Sequence, residues 1–172
     1  MENYTIKAIT SAISTVQRNQ KIDSIHRVLQ YFFKKDLFFF GSFCHTDSET
    51  IDFLCTQMLR GGYVDENFRA SIYEREAISR SAYDTIAIPH LLNSNPDHSA
   101  ISVFINPDGI NWSGQTVYAV FMLSISQDEV EMFSNMFDII HQLTGEPRQF
   151  SRLLETTQYK DFIDLVTRAM DQ

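Results

Sequence analysis

Val117-Tyr118-Ala119-Val120-Phe121-Met122-Leu123-Ser124-Ile125 is almost continuously apolar. A strand with one wet face alternates apolar and polar residues, whereas a run without alternation is covered on both faces. This stretch therefore predicts a central strand with helices above and below it, in an α/β chain with its sheet in the middle. Ser126-Gln127-Asp128-Glu129 follows with the spacing of a capping box. Val130, Phe133, Phe137, Ile140 and Leu143 then recur at helical intervals as far as Gly145.

The same alternation extends outward in both directions. Ala100 to Ile105 reads as a strand, closed by the turn Asn106-Pro107-Asp108-Gly109, and Asn111-Trp112-Ser113-Gly114 as a further loop. Leu37 to Phe40, ending at Gly41, is a short strand or buried extended segment. Thr46-Asp47-Ser48-Glu49 matches a second capping box, opening a helix with Ile51, Leu54, Cys55, Met58 and Leu59 on one face. Gly61-Gly62 supplies its left-handed stop. Asp65 is a candidate cap for the next helix, which runs through Phe68 and Ile72 to about Ile78 and presents Arg69, Glu74, Arg75 and Glu76 on its polar face. Downstream, Pro147 opens a short helix to Leu154, and Thr157 is a candidate cap for a last helix carrying Phe162, Leu165, Val166 and Ala169.

Residues 4–33 read as helix, broken near Asn19. Ile6, Ile9, Ile13 and Val16 form one apolar series, and Ile22, Ile25, Leu29, Phe32 and Phe33 another. The chain is accordingly expected to divide into a helical connector or extension, 1–36, and a core domain, 37–172.

A net charge of −8 argues against direct contact with nucleic acid, since phosphate recognition needs basic patches. The longest apolar runs are far too short to insert across a bilayer. No basic-then-apolar N-terminal leader is present, and Cys44 and Cys55 lack metal or redox spacing. Cytoplasmic residence is the expectation. No zinc motif, nucleotide-binding glycine loop or serine-nucleophile elbow occurs, so neither a metal nor a cofactor is expected.

Thr85-Ile86-Ala87-Ile88-Pro89-His90 is where the chain presents chemistry. A residue before proline favours extended backbone, and proline itself suits a strand end, so His90 is expected at the mouth of a strand, with residues 91–99 as loop. Neutral imidazole is a nucleophile at cellular pH. An arginine can fork onto phosphoryl oxygens, and the polar face of the helix before this strand offers cationic side chains nearby. A histidine paired with an arginine suits covalent phosphoryl carriage, although base or ligand roles for His90 stay open at this level. His45 and His98 read as surface residues, His141 as a core or rim residue, and Cys55 as buried and inert.

Several segments together resemble the mannitol/fructose-type EIIA domain of the bacterial phosphoenolpyruvate:sugar phosphotransferase system (PTS). They are Leu59-Arg60-Gly61-Gly62-Tyr63-Val64, Tyr73-Glu74-Arg75-Glu76 with Ser79 and Ser81-Ala82-Tyr83, Ile86-Ala87-Ile88-Pro89-His90, and Ile110-Asn111-Trp112-Ser113-Gly114-Gln115-Thr116-Val117. The likeness runs from about Leu37 to Val166. It implies a central mixed β-sheet flanked by helices, with His90 as phosphoryl acceptor and Arg75 stabilising the phosphate. The implied donor is the carrier protein HPr and the implied acceptor an EIIB cysteine, with no metal or cofactor.

The chain departs from the family pattern at three places, one of them Leu91 directly after His90, where members often carry Gly, Ala or Pro. Tyr83-Asp84-Thr85 lacks the usual loop glycine. Metabolic members carry a second histidine after the central strand, but Glu129-Val130-Glu131 stands at the matching place. Two carboxylates there are expected to disfavour a dianionic phosphohistidine. With the helical connector, this points to a regulatory EIIA-like domain of a transcriptional regulator (an antiterminator or activator) carrying PTS regulation domains. A transport-type EIIA and a non-catalytic binding module are the alternatives.

Overall fold

The computed structural model describes residues 2–92 and 97–172, with side chains from Ile6 onward. Its centre is the stretch that opened the sequence: β6 (Gln115–Ile125), in which every residue from Ala119 to Ile125 is fully buried. Strand β5 (Ala100–Trp112) runs antiparallel to it, and β1 (Phe33–Phe40) adds to β5 in parallel. On its other side β6 pairs in parallel with β3 (Ile86–Ala87) and then β4 (His90–Leu92), while β2 (Ala82–Tyr83) closes that edge antiparallel to β3. The result is a mixed six-stranded sheet.

Alternation along the strands sorts the core into two halves. Ile101, Val103, Ile105, Phe121, Leu123 and Ile125 face the last turns of α1 (Glu2–Phe32), α4 (Val130–Gly145) and α6 (Tyr159–Met170), with α5 (Pro147–Leu154) beside them. Phe104, Val120 and Met122 face α2 (Asp47–Arg60) and α3 (Phe68–Ile78). Each fully buried Leu, Ile or Phe contributes about 1.5–3 kcal/mol relative to an exposed one, which is why the sheet needs cover on both sides.

Several local expectations are corrected. Helix α1 is unbroken at Asn19. Strand β1 begins four residues before Leu37, through Lys34, Lys35 and Asp36; charges suit a sheet edge, and the register shifts between Phe33 and Phe38. Asn106 to Gly109 is a bulge within β5 and does not end the strand. Asn106 is buried there, donating to the Cys44 carbonyl at 2.9 Å and accepting from the Asp108 N–H at 2.9 Å. The β5–β6 turn is Ser113-Gly114, both at positive φ, 52° and 97°, the conformation that suits the right-handed twist of a hairpin.

Of the expected caps, Thr46 accepts from the Glu49 N–H, but Glu49 reaches back to the His45 N–H, one residue earlier than in the usual box. Ser126 caps nothing with its side chain: its own N–H donates to the Ser99 hydroxyl at 3.0 Å, and a 3-10 turn, Gln127–Glu129, precedes α4. Asp65 accepts from the Asn67 N–H ahead of α3 and is not itself the cap, and Thr157 yields that position to Gln158. The predicted loop 91–99 also changes: Leu91 and Leu92 continue β4, and residues 93–96 lie outside the described residues.

Candidate functional site

The segment 86–92 runs alongside β6 as two short strands separated by Ile88-Pro89. Proline has no N–H for the ladder, and here its carbonyl accepts from the Leu123 N–H at 2.9 Å while the Ile88 N–H donates to the Ser81 carbonyl at 3.1 Å. His90 therefore opens β4, paired with Leu123 of the fully buried central strand, and does not end a strand as expected. Its side chain is half-buried.

Helix α3 is anchored by buried Phe68 and Ile72, and Arg75, in its last turn, reaches the imidazole. Arg75 Nη2 lies 2.9 Å from His90 Nε2, and His90 Nδ1 lies 2.7 Å from the Ile88 carbonyl oxygen. A carbonyl only accepts, so Nδ1 carries the proton; a guanidinium only donates, so Nε2 offers its lone pair. Both contacts select the same neutral tautomer. Burial pushes the His90 pKa down from its ordinary value, the Ile88 hydrogen bond works against that, the Arg75 charge lowers it further, and Glu76 opposes.

Three of the four segments quoted from the sequence are bonded to one another, Arg75 meeting His90, and Glu76 and Arg80 meeting Trp112-Ser113. Glu76, next to Arg75, accepts from the Trp112 indole N–H at 3.1 Å and from the Ser81 N–H at 3.3 Å. Arg80 Nη1 donates to the Ser113 carbonyl at 3.1 Å. The β2–β3 turn is made by Asp84 at φ 51°, so an aspartate, one of the few side chains that tolerate this conformation, takes the left-handed position without glycine.

From α4, Phe133 lies over the imidazole, with ring centroids 6.0 Å apart and planes 28° from parallel. The row continues through Phe137 to His141, which also meets Tyr83 edge-on. Glu129 turns away: the Tyr31 hydroxyl donates to it at 2.6 Å. Glu131 is exposed. The acidic group that bears on the His90 imidazole is Glu76.

Sequence reasoning missed Glu76 and Phe133. Glu76 was legible only as a neighbour of Arg75, and Phe133 only as one more apolar helix position. The other histidines stand apart from this group. His45 and His98 are exposed, and His26 faces Asp164 at 3.4 Å. Cys44 and Cys55 are buried, and burial pushes the Cys55 thiol up to about 12, leaving it un-ionised at neutral pH. Among the described residues no three His, Cys, Asp or Glu side chains group as a metal site, and no helix is long and apolar enough to cross a membrane.

Comparison with known proteins gives a consistent picture. The family "Phosphoenolpyruvate-dependent sugar phosphotransferase system, EIIA 2" matches residues 30–169. The "Probable licABCH operon regulator" of Bacillus subtilis (strain 168) is 26% identical over 140 residues, 81% of this chain; the chain spans only 22% of that regulator's length. The "Mannitol-specific phosphotransferase enzyme IIA component" of the same organism is 29% identical over 121 residues, covering 67% of this chain and 82% of the relative. Among solved structures, the Escherichia coli complex of enzyme IIAMTL with phosphorylated enzyme IIBMTL superposes with a TM-score of 0.65 over 78% of this chain and 98% of that one. At 19% identity, that likeness is one of fold.

Proposed function

The chain belongs to the EIIA 2 family of the phosphoenolpyruvate-dependent sugar phosphotransferase system, and from that premise we propose that His90 is a phosphoryl acceptor written by phospho-HPr. The observation that carries this reading is the pair of contacts on one ring, Arg75 at Nε2 and the Ile88 carbonyl at Nδ1. In the reaction the Nε2 lone pair attacks phosphorus. The phosphorus–nitrogen bond of the donor phosphohistidine breaks, and its electron pair stays on the donor imidazole. The His90 proton remains on Nδ1, where the Ile88 carbonyl stabilises the charge that the ring acquires. Arg75, already at the point of attack, moves its N–H groups from Nε2 to the phosphoryl oxygens. Catalysis is positioning and electrostatics, and the chemistry needs no cofactor or metal.

The role we favour is regulatory, within or beside a transcriptional regulator in the cytoplasm, with PTS regulation domains as further partners. The similarity to an operon regulator supports it. So does the ring that lies on His90 from α4, which is a phenyl group with no proton to exchange and not a second imidazole. In this reading residues 1–36 are the connector and 37–172 the carrier, with Leu29 and Phe32 of the connector packed into the carrier's core. The similarity to a mannitol IIA component keeps a transport role, with transfer to an EIIB cysteine, as the second reading.

The test is incubation with labelled phosphoenolpyruvate, Enzyme I and HPr. Acid-labile label that is lost in His90→Ala is the expected result; no label under conditions that charge HPr would refute the reading and leave a binding module. Rapid discharge of the label to an EIIB domain would favour transport over regulation.

A further inference from the structure

Helix α1 has two apolar series on roughly opposite sides. Ile25, Val28, Leu29 and Phe32 pack into the core. Ile6, Ile9, Ile13 and Val16 do not: they are 61, 54, 52 and 54% exposed, and every residue from Ile6 to Lys21 is exposed. Their spacing of three, four and three is that of successive a and d positions of a coiled coil. The flanking e and g positions hold Thr10, Ala12, Gln17 and Asn19, all uncharged, while Lys7, Arg18 and Lys21 fall on outer positions. The series ends at Gln20 and Asp23, just where Arg18 and Lys21 bind Asp171 and α1 joins the body.

Intrinsic propensity does not hold this arm in helix. Thr5 to Val16 contains seven β-branched residues in twelve, each costing about half a kcal/mol against alanine. A helix of that composition and length is marginal in water unless its apolar face is covered.

We propose that α1 pairs, antiparallel, with α1 of a second copy of this chain through Ile6, Ile9, Ile13 and Val16. Uncharged flanks let two identical seams meet without repulsion. Orientation follows from charge. Each copy carries −8, yet residues 6–22 hold three cations and no acid, so the body is more acidic still. A parallel pair sets two acidic bodies side by side. The antiparallel pair sends them to opposite ends of an arm about 24 Å long, well beyond the screening length of about 8–10 Å. It also turns the basic arm of each copy toward the acidic body of the other. A stripe of this size is comparable to the largest apolar patches on soluble monomers, about 300–600 Å². Two together bury about 600–1,200 Å², the range of weak association and not of an obligate dimer.

Sedimentation equilibrium of the full chain from about 10 μM to 1 mM tests this. The average mass is expected to rise from one chain toward two with concentration, and Ile9→Asp and Ile13→Asp are expected to stay monomeric with an unchanged melting temperature. If either aspartate lowers that temperature, Ile13→Gln carries the test. For orientation, Ile9→Cys mixed with Ile13→Cys is expected to form the mixed disulfide in preference to either homodimer, the native cysteines being buried. A wild-type chain that stays monomeric at 1 mM, a mass that passes beyond two, aspartate variants that still associate, or preferential Ile9→Cys homodimers would each overturn the proposal.

Discussion

Arg75 Nη2 and His90 Nε2 sit 2.9 Å apart, and Nε2 is the nitrogen left without a proton by the contact of Nδ1 to Ile88. The donor therefore rests on the atom proposed to react. Removing it in Arg75→Ala should slow label uptake from phospho-HPr by about 10²–10³-fold, the effect of deleting one preorganised oxyanion donor. Arg75→Lys keeps the charge without the fork and should fall between. Initial rates of phosphorylation measure both; an Arg75→Ala rate equal to wild type would remove Arg75 from the chemistry.

The depressed His90 pKa has a calculable sign. In the unfolded chain the ring takes up its proton near 6.5; in the fold burial, and after it Arg75, hold it neutral to lower pH. Between those two values the unfolded state binds more protons, so this contribution to stability is complete above about 6.5 and is lost as pH falls toward the folded value. His90→Gln should flatten that part of the stability–pH curve. An NMR titration of the imidazole should give a midpoint below 6.5 in the native chain and a higher one in Arg75→Ala.

Glu76 joins the buried Trp112 to α3, and its loss should be read in stability. Glu76→Ala strands the indole N–H and the Ser81 N–H, costing about 1–3 kcal/mol in urea denaturation. Glu76→Gln keeps an acceptor and should cost less. Equal losses would mean that the charge, and not the hydrogen bond, is what matters.

Truncation separates the arm of α1 from its root. A chain lacking residues 1–21 loses, among the described residues, exposed ion pairs with Asp171 of the kind that contribute little, and should melt within a few degrees of the full chain. A chain lacking residues 1–32 loses Leu29 and Phe32 from the core. Large-to-small changes at such sites cost about 2–5 kcal/mol each, against a total stability of about 5–15 kcal/mol, so it should show no cooperative thermal transition. A scanning-calorimetry peak from that shorter chain would contradict this.

The layers of the fold were legible where one residue property dominates. The unbroken apolar run of β6, the Thr46 cap and the Gly61-Gly62 stop are local signals, and the structure keeps all three. Expectations failed where a tertiary partner outbid a local one. Ser126 forgoes its cap because Ser99 lies against it. Strand β1 starts early because Phe33 already pairs with Ile101 of β5, and Lys34 to Asp36 are carried in the irregular stretch between that pair and Phe38. At the proposed site, His90 was legible from its place after Ile88-Pro89, and Arg75 only through the family resemblance. The row from Phe133 to His141 was not, since a helix face that meets a ring and one that meets the core share one periodicity.

The Ile88 carbonyl, two residues from His90 on the same strip of sheet, has a consequence for how such a domain signals. A ring clasped by its own backbone has little freedom to turn when it is modified. Phosphorylation would set a phosphoryl group of about two negative charges on a ring that has gained one positive charge, in a chain already at −8, at a spot where the Arg75 guanidinium is at hand to answer it. The message would then be electrostatic, with little change of shape: a partner would distinguish the two states by the sign of the field over an otherwise fixed surface.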